Sequence, residues 1–146
     1  MKLLIIFNPN AAHGRSVKKL EDIRARFDDK GINAYFLATT PQDHGTDLVA
    51  NTDLSGYDGL VAAGGDGTVF AVLNGLYRHP KASRIPLGLL PIGTGNAFAR
   101  DLGLQPDDWQ SAIELLHHGR TRQVDVGHVK SADASYYFLN IVGMGF

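Results

Sequence analysis

From Leu3 to Gly119 the chain switches repeatedly between two hydrophobic rhythms. Leu3 to Phe7 is a continuous apolar run, the mark of a strand buried on both faces of a parallel sheet. Asn8-Pro9-Asn10-Ala11-Ala12-His13-Gly14-Arg15-Ser16 breaks it. Ser16 is placed to cap a helix whose apolar face is Val17, Leu20, Ile23, Ala25 and Phe27, with a stop at Lys30-Gly31. Ile32 to Ala38 is a second strand. After Thr39-Thr40-Pro41, Asp43 or Thr46 opens a short helix through Leu48 to Ala50. Leu60 to Ala63 is the third strand, running into Gly64, Gly65 and Gly67, after which Val69, Val72, Leu73 and Leu76 recur at helical spacing. Arg78 to Ser83 is polar connector. Ile85 to Leu90 is a fourth strand, with Pro86 tolerable only near its start. Pro91 to Arg100 then repeats the sequence of strand end, glycine turn and helix, carried on through Leu102 and punctuated by Gly103. Pro106-Asp107-Asp108 starts a further helix with Trp109, Ile113, Leu115 and Leu116, closed by His117-His118-Gly119. From Arg120 the rhythm becomes one of alternation: Thr121 to Val129 and Tyr136 to Val142 read as two antiparallel strands around a polar turn.

This order predicts an α/β fold, a parallel sheet with helices on both faces that ends in an antiparallel strand pair. Such sheets bind ligands outside the carboxyl ends of their strands. Asn8 to Ser16, Thr39-Thr40, Gly64 to Thr68 and Gly93 to Asn96 all follow strands, so they can converge on one crevice. Glycines that lack a Cβ, can take positive φ and stand before a helix let backbone N–H groups gather where phosphate binds well. An ordinary strand-to-helix turn uses the same residues, with Asp66 as a helix cap. Two such loops on one edge suit a polyphosphate. Neither a Gly-x-x-x-x-Gly-Lys-Ser/Thr loop nor a Gly-x-Gly-x-x-Gly turn after the first strand is present.

Composition narrows the function classes. The 146 residues fit one compact domain, with 44% apolar residues, 20% charged residues and a net charge of −1. Basic residues are scattered, which argues against a nucleic-acid partner. The absence of cysteine excludes disulfides and thiolate chemistry and is compatible with a cytoplasmic protein. The opening Met-Lys-Leu-Leu-Ile-Ile-Phe is too short for a membrane span or a secretory signal. His117 and His118 are adjacent on a helix and diverge, and His44, His79 and His128 show no ligand spacing; His13, in the first loop, reads as a solvated histidine, with phosphate contact as the alternative. No Ser lies in a Gly-x-Ser-x-Gly setting.

Asn8-Pro9, Gly64-Gly65-Asp66-Gly67-Thr68 and the stretch from Pro86 through Pro91-Ile92-Gly93-Thr94-Gly95-Asn96-Ala97-Phe98-Ala99-Arg100 together resemble the diacylglycerol kinase catalytic domain family. That family includes bacterial lipid kinases and sphingosine kinases, and is more distantly related to NAD kinases. The resemblance implies the nucleotide-binding α/β domain over residues 1–146. Residues from about 120 to 146, with Asp125-Val126-Gly127 and Phe138 to Phe146, then begin a crossing into a β-rich domain beyond this chain.

The resemblance further implies ATP as phosphoryl donor and a hydroxyl of diacylglycerol or a sphingoid-like lipid as acceptor. It places Asn8, Arg15, Thr40, Gly64, Gly65, Asp66, Gly67, Thr68, Gly93, Thr94, Gly95 and Asn96 around ATP, and Asp66 with Asp125 near Mg²⁺. The general base then lies beyond Phe146, so the chain alone is expected to bind nucleotide weakly and not to turn over. The chain departs from the family at Phe70 and Ala71, where Asn and Glu are usual. It departs again at Ala97, where many members carry Asp and sphingosine-kinase-like members carry Ala. An NAD kinase-type enzyme and a non-catalytic nucleotide-sensing domain are the alternatives. Self-association and peripheral contact with the inner membrane face stay open.

Overall fold

The computed structural model describes residues 1–80 and 85–139. The end of the polar connector and the last part of the second alternating strand, residues 81–84 and 140–146, lie outside the described residues. Strands β1 (Lys2–Phe7), β2 (Asn33–Ala38), β3 (Gly59–Gly64) and β4 (Leu87–Pro91) form one parallel sheet in the order β2-β1-β3-β4. The helices are α1 (Leu20–Asp29), α2 (Thr46–Ala50), α3 (Asp66–Arg78), α4 (Ala97–Asp101) and α5 (Trp109–His118). A hairpin of β5 (Gly127–Lys130) and β6 (Ser135–Phe138) forms a separate antiparallel sheet.

Sheet order fixes where the helices sit. The crossover from β1 through α1 runs outward to β2, whereas those through α2 and α3 run the opposite way, to β3 and β4. Right-handed crossovers that run in opposite directions lie on opposite faces. Accordingly α1 packs with α5, and α2 packs with α3. The central strands β1 and β3 are buried from Leu3 to Phe7 and from Gly59 to Gly64, as their unbroken apolar runs require. Ile23, Phe27, Ile113 and Trp109 cover one side, Val49, Val69 and Val72 the other.

Several local expectations are corrected. Ser16 does not cap a helix: it is fully buried, and its Oγ donates to the carbonyls of Asn8 and Pro9 at 3.0 Å each. A 3-10 segment (Ala11–Lys19) precedes α1, broken by left-handed backbone at Ala12, His13 and Gly14. Within α1 only Ile23 and Phe27, one turn apart, are buried; Ala25 is exposed, and Val17 is exposed in the segment before it. The last helix starts at Trp109, where the Asp108 carboxylate accepts from the Ser111 N–H, and ends at left-handed Gly119 as expected. The first hairpin strand is shorter than its alternating pattern: residues 120–126 hold no regular structure, and pairing begins at Gly127 with Phe138. Pro86 lies just before β4, with its carbonyl accepting from Leu60.

Candidate functional site

The strand order reverses direction between β1 and β3, so the loops leaving these two strands diverge and open a crevice at the carboxyl edge of the sheet. A cleft of about 530 Å³ occupies it, lined by Asn8, Ala11, Ala12, His44, Gly65, Asp66, Gly67, Thr68, Gly93, Thr94 and Gly95. The volume is of the size that small-molecule sites have, roughly 300–1,000 Å³.

Each wall is tied to the next by hydrogen bonds. Asn8, at the end of β1, donates its backbone N–H to Ala63 and its amide to Thr68 Oγ1 at 3.1 Å, joining the first loop to α3. The two glycine loops lie backbone on backbone. Gly64 O accepts from the N–H groups of Ile92 and Gly93, and Asp66 donates its N–H to Gly95 O at 2.9 Å. A Cβ on Gly93 would stand 2.3 Å from Gly65 Cα, and one on Gly65 would stand 2.8 Å from Gly95 O. Gly65 and Gly93 are therefore required for close approach. Gly64, Gly65 and Gly67 do not take the positive φ that their sequence allowed; that conformation falls at Gly14, Gly31, Gly45, Gly103 and Gly119.

Gly67 differs from the others. It lies in the first turn of α3 and lines the cleft, and a Cβ there would meet no protein atom within 4 Å. The N–H groups of Gly67, Thr94 and Gly95 have no protein acceptor among the described residues. Open space and free donors thus coincide at the N-terminus of a 13-residue helix, where the peptide dipoles favour an anion.

Asp66 has a role that its neighbours in the sequence do not reveal. Its carboxylate accepts from the N–H of Ala97 at 3.0 Å and of Phe98 at 3.3 Å, capping the first turn of α4 rather than its own helix, whose N-cap is Gly65. One carboxylate so engaged keeps lone pairs for a further partner. No group of three His, Asp or Glu side chains that could hold a metal occurs among the described residues.

The remaining expected residues fall partly in the walls of the cleft and partly away from it. Gly64 is buried at the end of β3, packed on Thr68. Asn96 is buried and donates to Gly93 O, holding the second loop closed. Arg15 and Thr40 are exposed and do not line the cleft: Arg15 Nε donates to Ala12 O, and Thr40 Oγ1 accepts from the Asp43 N–H. Asp125 is exposed in the irregular stretch before β5 and does not line the cleft either. Ala11 and Ala12 come with the Asn8 to Ser16 loop expected at this edge, and the structure adds His44, which carries no motif and which only the meeting of separate loops brings in.

A second, smaller cavity of about 240 Å³ adjoins the first across Asp66 and Gly67, walled by Val69, Phe70, Leu73, Phe98, Phe138 and Leu139. Phe70 packs on Tyr136, with ring centroids 6.0 Å apart, and Ala71 is buried with its carbonyl accepting from Thr46 Oγ1. Phe70 and Ala71 thus both serve packing.

Comparison with known proteins bears on the same residues. The diacylglycerol kinase catalytic domain model matches residues 2–129. The chain is 36% identical over 141 residues to the diacylglycerol kinase of Bacillus subtilis (strain 168), covering 97% of this chain and 45% of that protein. It is 29% identical over 153 residues to sphingosine kinase 1 of Arabidopsis thaliana, covering 99% and 31% respectively. A diacylglycerol kinase crystal structure from Bacillus anthracis str. Sterne aligns with a TM-score of 0.68 and 32% identity over 86% of this chain and 42% of that one. The chain spans less than half the length of these relatives. With its three loop motifs inside the matched span, it belongs to the diacylglycerol kinase catalytic domain family.

Proposed function

We propose that this chain is the ATP-binding part of a lipid kinase, with the triphosphate held in the larger cleft. The observation that carries the reading is the cleft face at Gly67, where a side chain is absent without any protein atom to exclude it and where unpaired N–H groups gather. Phosphoryl transfer asks mainly for positioning and for neutralisation of charge on the phosphate oxygens. Gly67, Thr94 and Gly95 supply donors, Asn8 and Thr68 fix the first loop against α3, and Gly64, Gly65, Gly93 and Asn96 hold the two glycine loops in contact. Arg15 and Thr40, on loops flanking the cleft, are assigned to the part of the nucleotide that extends beyond it.

Mg²⁺ fits this site only as an ion carried in on the phosphates, because the lining offers one carboxylate, Asp66. When bound, it would neutralise phosphate charge. Asp66 meanwhile holds the start of α4 and orients the second loop. Asp125 lies outside the lining, so the chain's own carboxylate toward the ion is Asp66.

The apolar second cavity, sharing Asp66 and Gly67 with the first, supports an acceptor whose hydroxyl meets the phosphates while its hydrocarbon rests on Val69, Phe70, Leu73 and Phe98. We assign this acceptor to diacylglycerol or a sphingoid-like lipid, and the general base to sequence of the kind that the longer relatives carry. ATP and a bilayer substrate together call for a cytoplasmic protein that touches the membrane peripherally. No helix among the described residues is long and apolar enough to cross a membrane.

The test is transfer of labelled γ-phosphate from MgATP to diacylglycerol or sphingosine in mixed micelles by the protein that carries this chain. Transfer to either lipid, lost in Gly67→Val, supports the reading. MgATP binding with transfer to NAD alone, or with transfer to no acceptor, contradicts it.

A further inference from the structure

His44 stood outside every motif, yet the structure brings it into the cleft with Asn8, Gly67, Thr68 and Thr94. It precedes Gly45, whose φ of 117° turns the chain into α2, and the position of a Cβ at Gly45 lies 3.6 Å from both Ile6 and Val72. The backbone beside His44 is thus seated on β1 and α3, the same elements that hold Asn8 and Gly67. The side chain itself is exposed.

The charge inventory of the lining is decisive. It holds one carboxylate, Asp66, and neither Lys nor Arg. A triphosphate in such a cleft faces backbone N–H groups but no permanent cation. Arg15, the cation that the family pattern points to, is turned onto its own loop through its bond to Ala12 O. Among the lining side chains His44 alone can carry positive charge, and its ring donates an N–H in either protonation state. Resting on the ATP reading above, we propose that His44 contacts the phosphate chain of the nucleotide and adds a ring N–H donor to the backbone N–H groups of the glycine loops.

The experiment is calorimetric titration of the protein that carries this chain with MgATP, MgADP and adenosine, using wild type, His44→Ala, His44→Gln and Arg15→Ala. His44 is exposed, so its variants should keep the wild-type thermal transition, which circular dichroism verifies. A charge-assisted hydrogen bond lost to Ala weakens MgATP binding about tenfold. The expected pattern is that loss in His44→Ala, a smaller loss in His44→Gln, and equal adenosine affinity in all three. Wild-type MgATP affinity in His44→Ala, or an equal loss for adenosine, overturns the inference while leaving the ATP site in place. So does a loss specific to phosphate that appears in Arg15→Ala and not in His44→Ala. If wild type binds none of the three ligands, the nucleotide reading and this inference both fall.

Discussion

Two glycines only a few residues apart in space should respond in opposite ways to the same methyl group. At Gly93 an added Cβ would stand 2.3 Å from Gly65 Cα, 2.4 Å from Gly65 N and 3.0 Å from Gly64 C. All three are backbone atoms, so no side chain can swing aside and the loops must part. Overpacking of this kind costs about 1–3 kcal/mol. Parting the loops also endangers the bonds from Ile92 and Gly93 to Gly64 O and from Asp66 to Gly95 O. Losing two of them adds about 1–3 kcal/mol.

Gly93→Ala should therefore cost about 2–6 kcal/mol, against a total stability of about 5–15 kcal/mol for a domain. That corresponds to a melting temperature lowered by about 5 °C or more. At Gly67 the same methyl meets nothing within 4 Å and the backbone is helical, so Gly67→Ala should leave stability unchanged or raise it by up to about 1 kcal/mol. It should nonetheless lower MgATP affinity at least about tenfold, a loss of about 1.4 kcal/mol, because the methyl occupies the space assigned to phosphate. Thermal unfolding followed by circular dichroism, paired with nucleotide titration, reads both effects. Gly93→Ala within about 1 kcal/mol of wild type would refute the close-approach argument. Gly67→Ala binding MgATP like wild type would refute the assignment of that face.

Other expectations follow from single features. Ala12 has φ 51° and ψ 42°, a left-handed conformation that costs an L-residue about 1–2 kcal/mol, so Ala12→Gly should raise stability by about 0.5–1 kcal/mol in thermal melts after the entropy of Gly is subtracted. Asn74 is buried and accepts from the Tyr137 N–H while donating to the carbonyls of Tyr137 and Phe70, standing in for a strand at the edge of the hairpin. Asn74→Ala should cost about 1–3 kcal/mol and should remove protection of the Tyr137 amide in hydrogen exchange. The Lys30 hydrogen bond to Glu114, with the charges of Lys30 and Arg26, holds the Glu114 carboxyl below the usual glutamate range. Its contribution is full above the ordinary glutamate value and is lost as pH falls through the lower folded value. Glu114→Gln should therefore flatten the acid limb of stability measured by melts across that window.

The sequence pattern carried the sheet well, for a definite reason. β1 and β3 are buried on both faces, so their runs had to be apolar throughout, and the loops at their ends had to be the polar and glycine-rich intervals. What it could not show were partnerships across long separations. Ser16 looked like a cap because Ser before a helix usually is one; its hydroxyl instead closes the first loop onto Asn8 and Pro9. Asp66 had cap and metal readings as a neighbour of its own helix, yet the N–H groups it accepts from belong to residues 97 and 98. The glycines were read for their freedom at φ, whereas Gly65 and Gly93 are needed because each sits against the other's backbone. Residues 120–126 alternate like a strand but are largely exposed and do not pair. Most of the cleft was legible because it is made of loops with motifs. His44 was not, since only the meeting of three loops places it there.

The central claim is that a nucleotide triphosphate lies on the Gly67 face between the two glycine loops. Titration of the ¹⁵N-labelled chain with MgATP, followed amide by amide, tests it most directly. The account expects saturable shifts concentrated at Gly67, Thr94 and Gly95, with the Asn8 side-chain amide moving alongside. Saturable shifts that leave Gly67 and Gly95 in place and gather elsewhere, for example around Tyr35 and Tyr57, would contradict it.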